Sequence, residues 1–79
     1  MPKLKQFSGK EIVRIFEEYG FEVRRTVGSH VRLTLMQNDS SYHVTIPLHK
    51  QIKKGTLCCI IKDFELCFGK NETENCFFN

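Results

Sequence analysis

The chain has 79 residues and a net charge of +3, with 41% hydrophobic and 27% charged residues. This length suits one small domain, and the composition is that of an ordinary globular protein. No apolar run approaches the roughly 18 residues of a membrane span, and no apolar segment follows the N-terminal lysines. We therefore expect neither a transmembrane helix nor a signal peptide, and a cytoplasmic location.

Positive charge is concentrated in the first part of the chain. Residues 1–62 carry eleven Lys and Arg against five acidic residues, a net charge of +6, whereas residues 63–79 have a net charge of −3. A basic body is typical of proteins that bind a polyanion, although charge alone also fits a solvated basic surface.

The cysteines favour neither a metal site nor a disulfide framework. They are Cys58, Cys59, Cys67 and Cys76. No C-x-x-C pair occurs, the spacing matches no common metal site, and cytoplasmic chains seldom keep disulfides. We therefore expect ordinary thiols and no cofactor.

The first predicted element is a helix that begins after Ser8. Ser8 and Glu11 form a capping-box pattern, and apolar residues then recur at helical spacing as far as Tyr19. Gly20 is suited to end this helix in a left-handed conformation, with Phe21 packing back onto the last turn.

Three strands are predicted next, at residues 21–26, 30–36 and 42–47, with a tight turn at Gly28-Ser29 between the first two. The second strand alternates, which is the mark of a half-buried strand. Its apolar residues must face a core, so His30, Arg32 and Thr34 are expected on the opposite, open face.

The polar turn at residues 37–40 fixes the expected pairing of the second and third strands. If the hairpin closes symmetrically, each polar residue of the second strand has one partner on the open face. The expected pairs are His30 with Pro47, Arg32 with Thr45 and Thr34 with His43.

A second helix is predicted from Lys54 or Thr56 to Gly69, after a basic loop. Its expected inward residues are Leu57, Ile60, Ile61 and Phe64. The last ten residues, 70–79, are predicted to be a tail that is either frayed or docked through Phe77 and Phe78.

This element order predicts an α+β fold of the type α-β-β-β-α, in which two helices cover one face of a three-stranded antiparallel sheet. The other sheet face stays open. We expect one domain over residues 1–79, with its core at residues 8–66.

Several motifs together resemble one known family, the HicA toxins of bacterial and archaeal toxin–antitoxin systems. They are Ser8-Gly9-Lys10-Glu11, Tyr19-Gly20-Phe21, Gly28-Ser29-His30, Val44-Thr45-Ile46-Pro47-Leu48-His49, and the stretch from Ile52 to Lys62 that contains Lys53-Lys54-Gly55-Thr56-Leu57. The resemblance covers residues 8–66. The adjacent Cys58 and Cys59 and the acidic, aromatic-ended tail depart from the usual pattern.

The resemblance implies a fold like that of double-stranded-RNA-binding domains and an mRNA endoribonuclease activity that needs no metal. It implies that the histidine of the Gly-Ser-His motif, here His30, is catalytic. It also implies a HicB-type antitoxin partner that covers the site.

From the residues themselves, imidazole suits the proton transfers of RNA cleavage because it titrates near neutral pH. His49, in the loop that returns toward His30, is a candidate second proton carrier. The candidate RNA-binding residues are Arg24, Arg25, Gly28, Ser29, Arg32, Lys50, Lys53 and Lys54. The family resemblance implies single-stranded mRNA as the substrate, and we expect no membrane partner and no DNA bound by the chain itself.

Interpretations without catalysis also fit the sequence. His30 fits a surface imidazole beside a turn, and His49 fits a solvated loop residue. The chain also fits a non-catalytic RNA-binding domain that grips phosphates with Lys53 and Lys54, or a protein-interaction module that uses the open sheet face.

Overall fold

A computed structural model describes residues 6–78. The expectation that there is no signal peptide rests on residues that lie outside this range, except for Gln6. The elements follow the predicted order, with one further helix at the end. They are α1 (Gly9–Glu18), β1 (Glu22–Val27), β2 (His30–Gln37), β3 (Ser40–Pro47), α2 (Lys54–Phe68) and α3 (Lys70–Phe77). The α+β prediction is confirmed.

The three strands form one antiparallel sheet in the order β1-β2-β3. The predicted pairing of β2 with β3 is confirmed along its whole length. The pairs that matter below are His30 with Pro47, Arg32 with Thr45 and Thr34 with His43. The sheet therefore has its polar residues in the predicted places.

The apolar face of the sheet packs against α1 and α2. From β2 and β3, Leu33 and Ile46 are fully buried there, and Ile12 and Phe16 of α1 meet them. Burying a side chain of this size stabilises a fold by about 1.5–3 kcal/mol relative to leaving it exposed. The inward residues predicted for α2 are all buried as well: Leu57, Ile60, Ile61 and Phe64.

Helix α1 is capped at both ends as predicted. The Glu11 N–H donates to Ser8 Oγ at 3.2 Å, and the Ser8 N–H donates to the Glu11 carboxylate at 2.9 Å. Gly20 has a φ of 103°, and the Phe21 N–H donates to the Phe16 carbonyl at 3.1 Å. This is the hydrogen-bond pattern of a Schellman cap, and it turns the chain directly into β1.

The C-terminal segment is docked rather than frayed, and it is helical, which the sequence pattern did not indicate. Phe77 is fully buried, with its ring 5.4 Å from Phe7 and 5.0 Å from Phe64 between centroids. The Tyr19 hydroxyl donates to the Glu72 carboxylate and accepts from the Cys76 thiol at 3.2 Å. Helix α3 is therefore part of the packed structure. No helix in residues 6–78 has the length and apolar character needed to cross a membrane.

Candidate functional site

The open face of the sheet consists of rows of directly opposed residues. From the Gly28-Ser29 turn outward, the three rows are Val27–His30–Pro47, Arg25–Arg32–Thr45 and Glu22–Thr34–His43. The histidine of the first row and both arginines of the second are exposed. The imidazole of His30 therefore lies beside two cations, one on β1 and one on β2.

A shallow depression of about 190 Å³ lies over the first two rows. Its lining residues are Arg25, Val27, His30, Arg32 and Thr45. None of them is acidic, and four of the five carry N–H or O–H donors. Guanidinium forks match the oxygens of phosphate, and imidazole can accept or donate a proton near neutral pH. The depression is therefore suited to binding an anion next to a group that gives a proton to, or takes one from, the imidazole.

The turn before His30 is tight, and a hydrogen bond from the end of β3 holds it in place. Val27 pairs with His30 across two residues, and Gly28 has a φ of 58°, a conformation that glycine adopts at little cost. The Leu48 N–H donates to the Ser29 carbonyl, which ties the end of β3 to this turn. Gly28 therefore contributes its backbone conformation to the turn, and Ser29 contributes its carbonyl oxygen as a hydrogen-bond acceptor.

The start of α1 fixes the loop that follows β3. Gly9 donates its N–H to the His49 carbonyl at 2.9 Å. A Cβ at Gly9 would lie 2.1 Å from the Pro47 carbonyl oxygen, so no side chain fits there. Helix α1 therefore presses directly on the loop beside His30 and positions the backbone of His49, whose side chain is exposed.

Strand β1 contains a bulge that decides which arginine reaches the depression. Val23 pairs with Leu33 and Arg25 pairs with Arg32, so Arg24 is an extra residue without a partner of its own on β2. Bulges often redirect a side chain next to a functional site. Here Arg25, not Arg24, lines the depression.

The other predicted site residues do not line the depression in the described structure. They are Arg24, Gly28, Ser29, His49, Lys50, Lys53 and Lys54. Of these, the three lysines are exposed in the loop after β3 and at the start of α2.

Two lining residues, Val27 and Thr45, were not among the predicted site residues. The predicted hairpin register already placed Thr45 opposite Arg32, so the signal for it was present. Val27 follows in the same way from the two-residue turn, because the residue before such a turn pairs with the residue after it.

His43 belongs to a hydrogen-bonded group on the same sheet face. Its Nδ1 lies 3.0 Å from Thr34 Oγ1, and its Nε2 lies 3.4 Å from Ser41 Oγ. Thr34 is only 7% exposed although it is on the open face. Both ring nitrogens of His43 are engaged, which favours a structural role for this histidine.

Metal ligands are not clustered in residues 6–78: no three His, Cys, Asp or Glu side chains are placed to hold one ion. The cysteines are free thiols, of which Cys59 is exposed and the other three are partly buried. Burial, with the nearby Asp63 carboxylate, raises the pKa of the Cys67 thiol above its ordinary value.

The described residues form an α-β-β-β-α-α domain with a histidine and two arginines exposed on the open face of its sheet. A comparison with protein-family models gives a more particular result, because the family described as "HicA toxin of bacterial toxin-antitoxin" matches residues 9–66. The chain belongs to the HicA toxin family and is thus a toxin of a toxin–antitoxin system. Searches of curated proteins and of solved structures gave no match. Helix α3 lies beyond the matched residues.

Proposed function

We propose that this toxin is an mRNA endoribonuclease of the cytoplasm that cleaves single-stranded RNA with His30 as its acid–base catalyst, without a metal ion. The observation that carries the proposal is the shared depression of His30, Arg25, Arg32 and Thr45. It supplies a proton carrier and phosphate-binding donors on one exposed surface.

The chemistry begins at the RNA 2′-hydroxyl next to the cleaved phosphate. His30 removes its proton, and the 2′-oxygen attacks phosphorus while the bond to the 5′-oxygen breaks. The products are a 2′,3′-cyclic phosphate and a 5′-hydroxyl. General acid–base catalysis of this kind is typically worth about 10²–10⁴-fold in rate.

The departing 5′-oxygen needs a proton, and His49 is the proposed second carrier. Its backbone is held beside the His30 end of the sheet by the Gly9 hydrogen bond, and its exposed ring is free to approach RNA lying over the depression. In the absence of His49, protonated His30 or water can supply this proton, so the His49 contribution is smaller than that of His30.

Negative charge increases on the phosphate as the 2′-oxygen attacks. Arg32 and Arg25 are positioned to hold this charge, and Thr45 adds a hydroxyl donor from β3. Preorganised donors of this type act mainly on the transition state, where the charge is greatest. Lys50, Lys53 and Lys54 extend the positive surface for the flanking phosphates.

The proposed protein partner is a HicB-type antitoxin that covers the open face. His30 and Arg32 are exposed on that face, and Val27 beside them is 60% exposed. A partner that buries Val27 and neutralises the arginines excludes RNA from His30. Inhibition then needs no change in the toxin fold.

A second candidate is a non-catalytic RNA-binding domain. It is favoured by Lys53 and Lys54, which are exposed at the start of α2, where a groove-spanning domain contacts phosphates. This candidate binds duplex RNA and leaves it intact, whereas the ribonuclease cuts single strands.

The deciding experiment incubates the purified full chain with single-stranded and duplex RNA in EDTA. A His30→Ala preparation, purified in parallel, controls for contaminating ribonuclease. We expect cutting of the single strand by the wild-type chain alone, together with growth arrest on its expression. Binding to duplex RNA without cutting of either substrate would favour the second candidate.

A further inference from the structure

The second row of the open face contains an unfavourable pair in the unliganded protein. Arg25 and Arg32 are directly opposed on neighbouring strands, and both are exposed. Like charges at such positions destabilise a sheet, because the side chains project side by side from the same face. The nearest carboxylate on this face by register is Glu22, one row further from His30. An anion bound between the two arginines would offset this repulsion.

The bulge at Arg24 is what makes this pair possible. Phe21 is buried, and Val23 pairs with the buried Leu33, so Val23 belongs to the helix-covered face of the sheet although it is 43% exposed. Strict alternation from these residues would put Arg25 on the helix-covered face as well, away from Arg32. The Gly28-Ser29 turn instead fixes Arg25 opposite Arg32, and the extra residue Arg24 reconciles the two registers.

We infer that Arg25 and Arg32 form a phosphate clamp, that the β1 bulge assembles it, and that the adjacent Arg24 is not part of it. The inference deepens the proposed function, on which it rests for the identity of the natural ligand as an RNA phosphate. It assigns different roles to two neighbouring residues of identical chemistry.

The donor set favours a phosphate over a carboxylate. A single guanidinium satisfies both oxygens of a carboxylate, whereas the depression offers two guanidinium groups, the Thr45 hydroxyl and the His30 ring. A phosphate has enough oxygens for this set. Its position between the two arginines also brings it next to His30, in the neighbouring row.

The test uses three variants that each remove one positive charge: Arg25→Ala, Arg24→Ala and deletion of Arg24. The deletion joins Val23 directly to Arg25, so every remaining pair from Glu22–Thr34 to Val27–His30 continues without interruption. It removes the bulge and one arginine but leaves an arginine opposite Arg32. Simple charge effects predict the same result for all three variants.

Binding of inorganic phosphate to the full-length folded chain is measured by NMR, through the side-chain signals of His30 and the arginines. We expect Arg25→Ala to lower the affinity about tenfold or more, since a hydrogen bond to a charged group is worth roughly 1.5–3 kcal/mol. Arg24→Ala and the deletion should each lose clearly less. Equal losses in Arg24→Ala and Arg25→Ala would overturn the clamp.

The deletion gives a second criterion. Phosphate binding that falls as far as in Arg25→Ala, in a deletion variant with a native-like spectrum, would contradict the account of the bulge. If the deletion variant does not fold, the comparison of the two alanine variants still decides whether Arg25, and not Arg24, belongs to the clamp.

The outcome for the clamp is separable from that for the ribonuclease. A wild-type chain that binds phosphate at Arg25 and Arg32 but cuts no RNA keeps the clamp and removes the proposed catalysis. A chain that cuts RNA while all three variants bind phosphate equally keeps the catalysis and removes the clamp.

Discussion

The two faces of β2 differ sharply in what their residues contact. Val31, Leu33 and Leu35 are at most 8% exposed against the helices, whereas His30 and Arg32, which alternate with them, are exposed. The same strand thus contributes to the core with one set of side chains and to the candidate site with the other. Rigidity of the first set is what positions the second.

The open face keeps features that a packed face does not tolerate. A directly opposed pair of arginines costs free energy in the free protein, and Val27, which is 60% exposed, gains little from packing. Such local costs are expected where residues are retained for binding rather than for stability. The comparison predicts that substitutions on the two faces affect different measurements.

The largest expected effects come from one substitution on each face. His30→Ala should lower the RNA cleavage rate by about 10²–10⁴-fold and leave thermal stability near that of the wild type, because the side chain contributes no core volume. Leu33→Ala should cost about 2–5 kcal/mol of unfolding free energy through the cavity it leaves. Cleavage assays and thermal melts on both variants check this; a folded His30→Ala protein with full activity would refute the catalytic role.

Helix α3 extends the comparison beyond the family-matched residues. Phe77→Ala should destabilise the protein by about 3–5 kcal/mol, because the ring is fully buried between Phe7 and Phe64. Asn75→Ala, on the exposed side of the same helix, is the matched control. Urea unfolding of both variants measures the difference, and equal midpoints would show that α3 is not part of the cooperative unit.

Lys53 and Lys54, which are exposed at the start of α2, should affect RNA affinity more than turnover. Charge reversal at Lys53 and Lys54 should flatten the dependence of log affinity on log salt by about 0.7 for each phosphate of a single strand that is no longer neutralised. The same reversal at the exposed Lys62 and Lys70 controls for net charge. A slope that does not distinguish the two double variants would place Lys53 and Lys54 off the RNA path.

The smallest expected effect is a gain in stability on the open face. Arg25→Thr should raise the unfolding free energy by roughly 0.2–1 kcal/mol in low-salt, phosphate-free buffer, since it removes the opposed like charge. Added salt should reduce the gain by screening. Arg24→Thr makes the same change at a position that has no opposed arginine, so its gain in unfolding free energy should be smaller. A larger gain for Arg24→Thr than for Arg25→Thr would argue against repulsion between Arg25 and Arg32.

Local patterns were sufficient to predict the hairpin register and α1. Ser8, Glu11 and Gly20 carry their signals within a few residues, and the polar turn at residues 37–40 fixes the partners of His30 and Arg32. These features depend on backbone geometry and short-range hydrogen bonds, so the sequence displays them directly.

Helix α3 was not predicted because its stability comes from distant contacts. Its buried residues are Thr73 and Phe77, and the hydroxyl of Tyr19, just after α1, binds its Glu72 side chain. A helix of eight residues has little stability by itself and depends on such tertiary packing. The spacing of Thr73, Cys76 and Phe77 is helical, but it forms too short a stripe to distinguish a helix from a tail.

The assignment of the two adjacent arginines also required the three-dimensional structure. The alternation that starts at Phe21 and Val23 conflicts with the register that the turn at Gly28-Ser29 imposes, but the sequence does not show where the extra residue is inserted. Only the register identifies Arg24 as that residue and Arg25 as the partner of Arg32.

We propose that the open face of the sheet cleaves RNA through the substrate's own 2′-hydroxyl, with His30 as the proton carrier. The most direct measurement is cleavage of an RNA with a single 2′-deoxy substitution at the cut position, in EDTA, beside the unmodified RNA. We expect the unmodified strand to be cut to a 2′,3′-cyclic phosphate and the substituted strand to resist cleavage at that bond. Cutting of both strands at the same bond and rate, or loss of all cutting in EDTA, would contradict it.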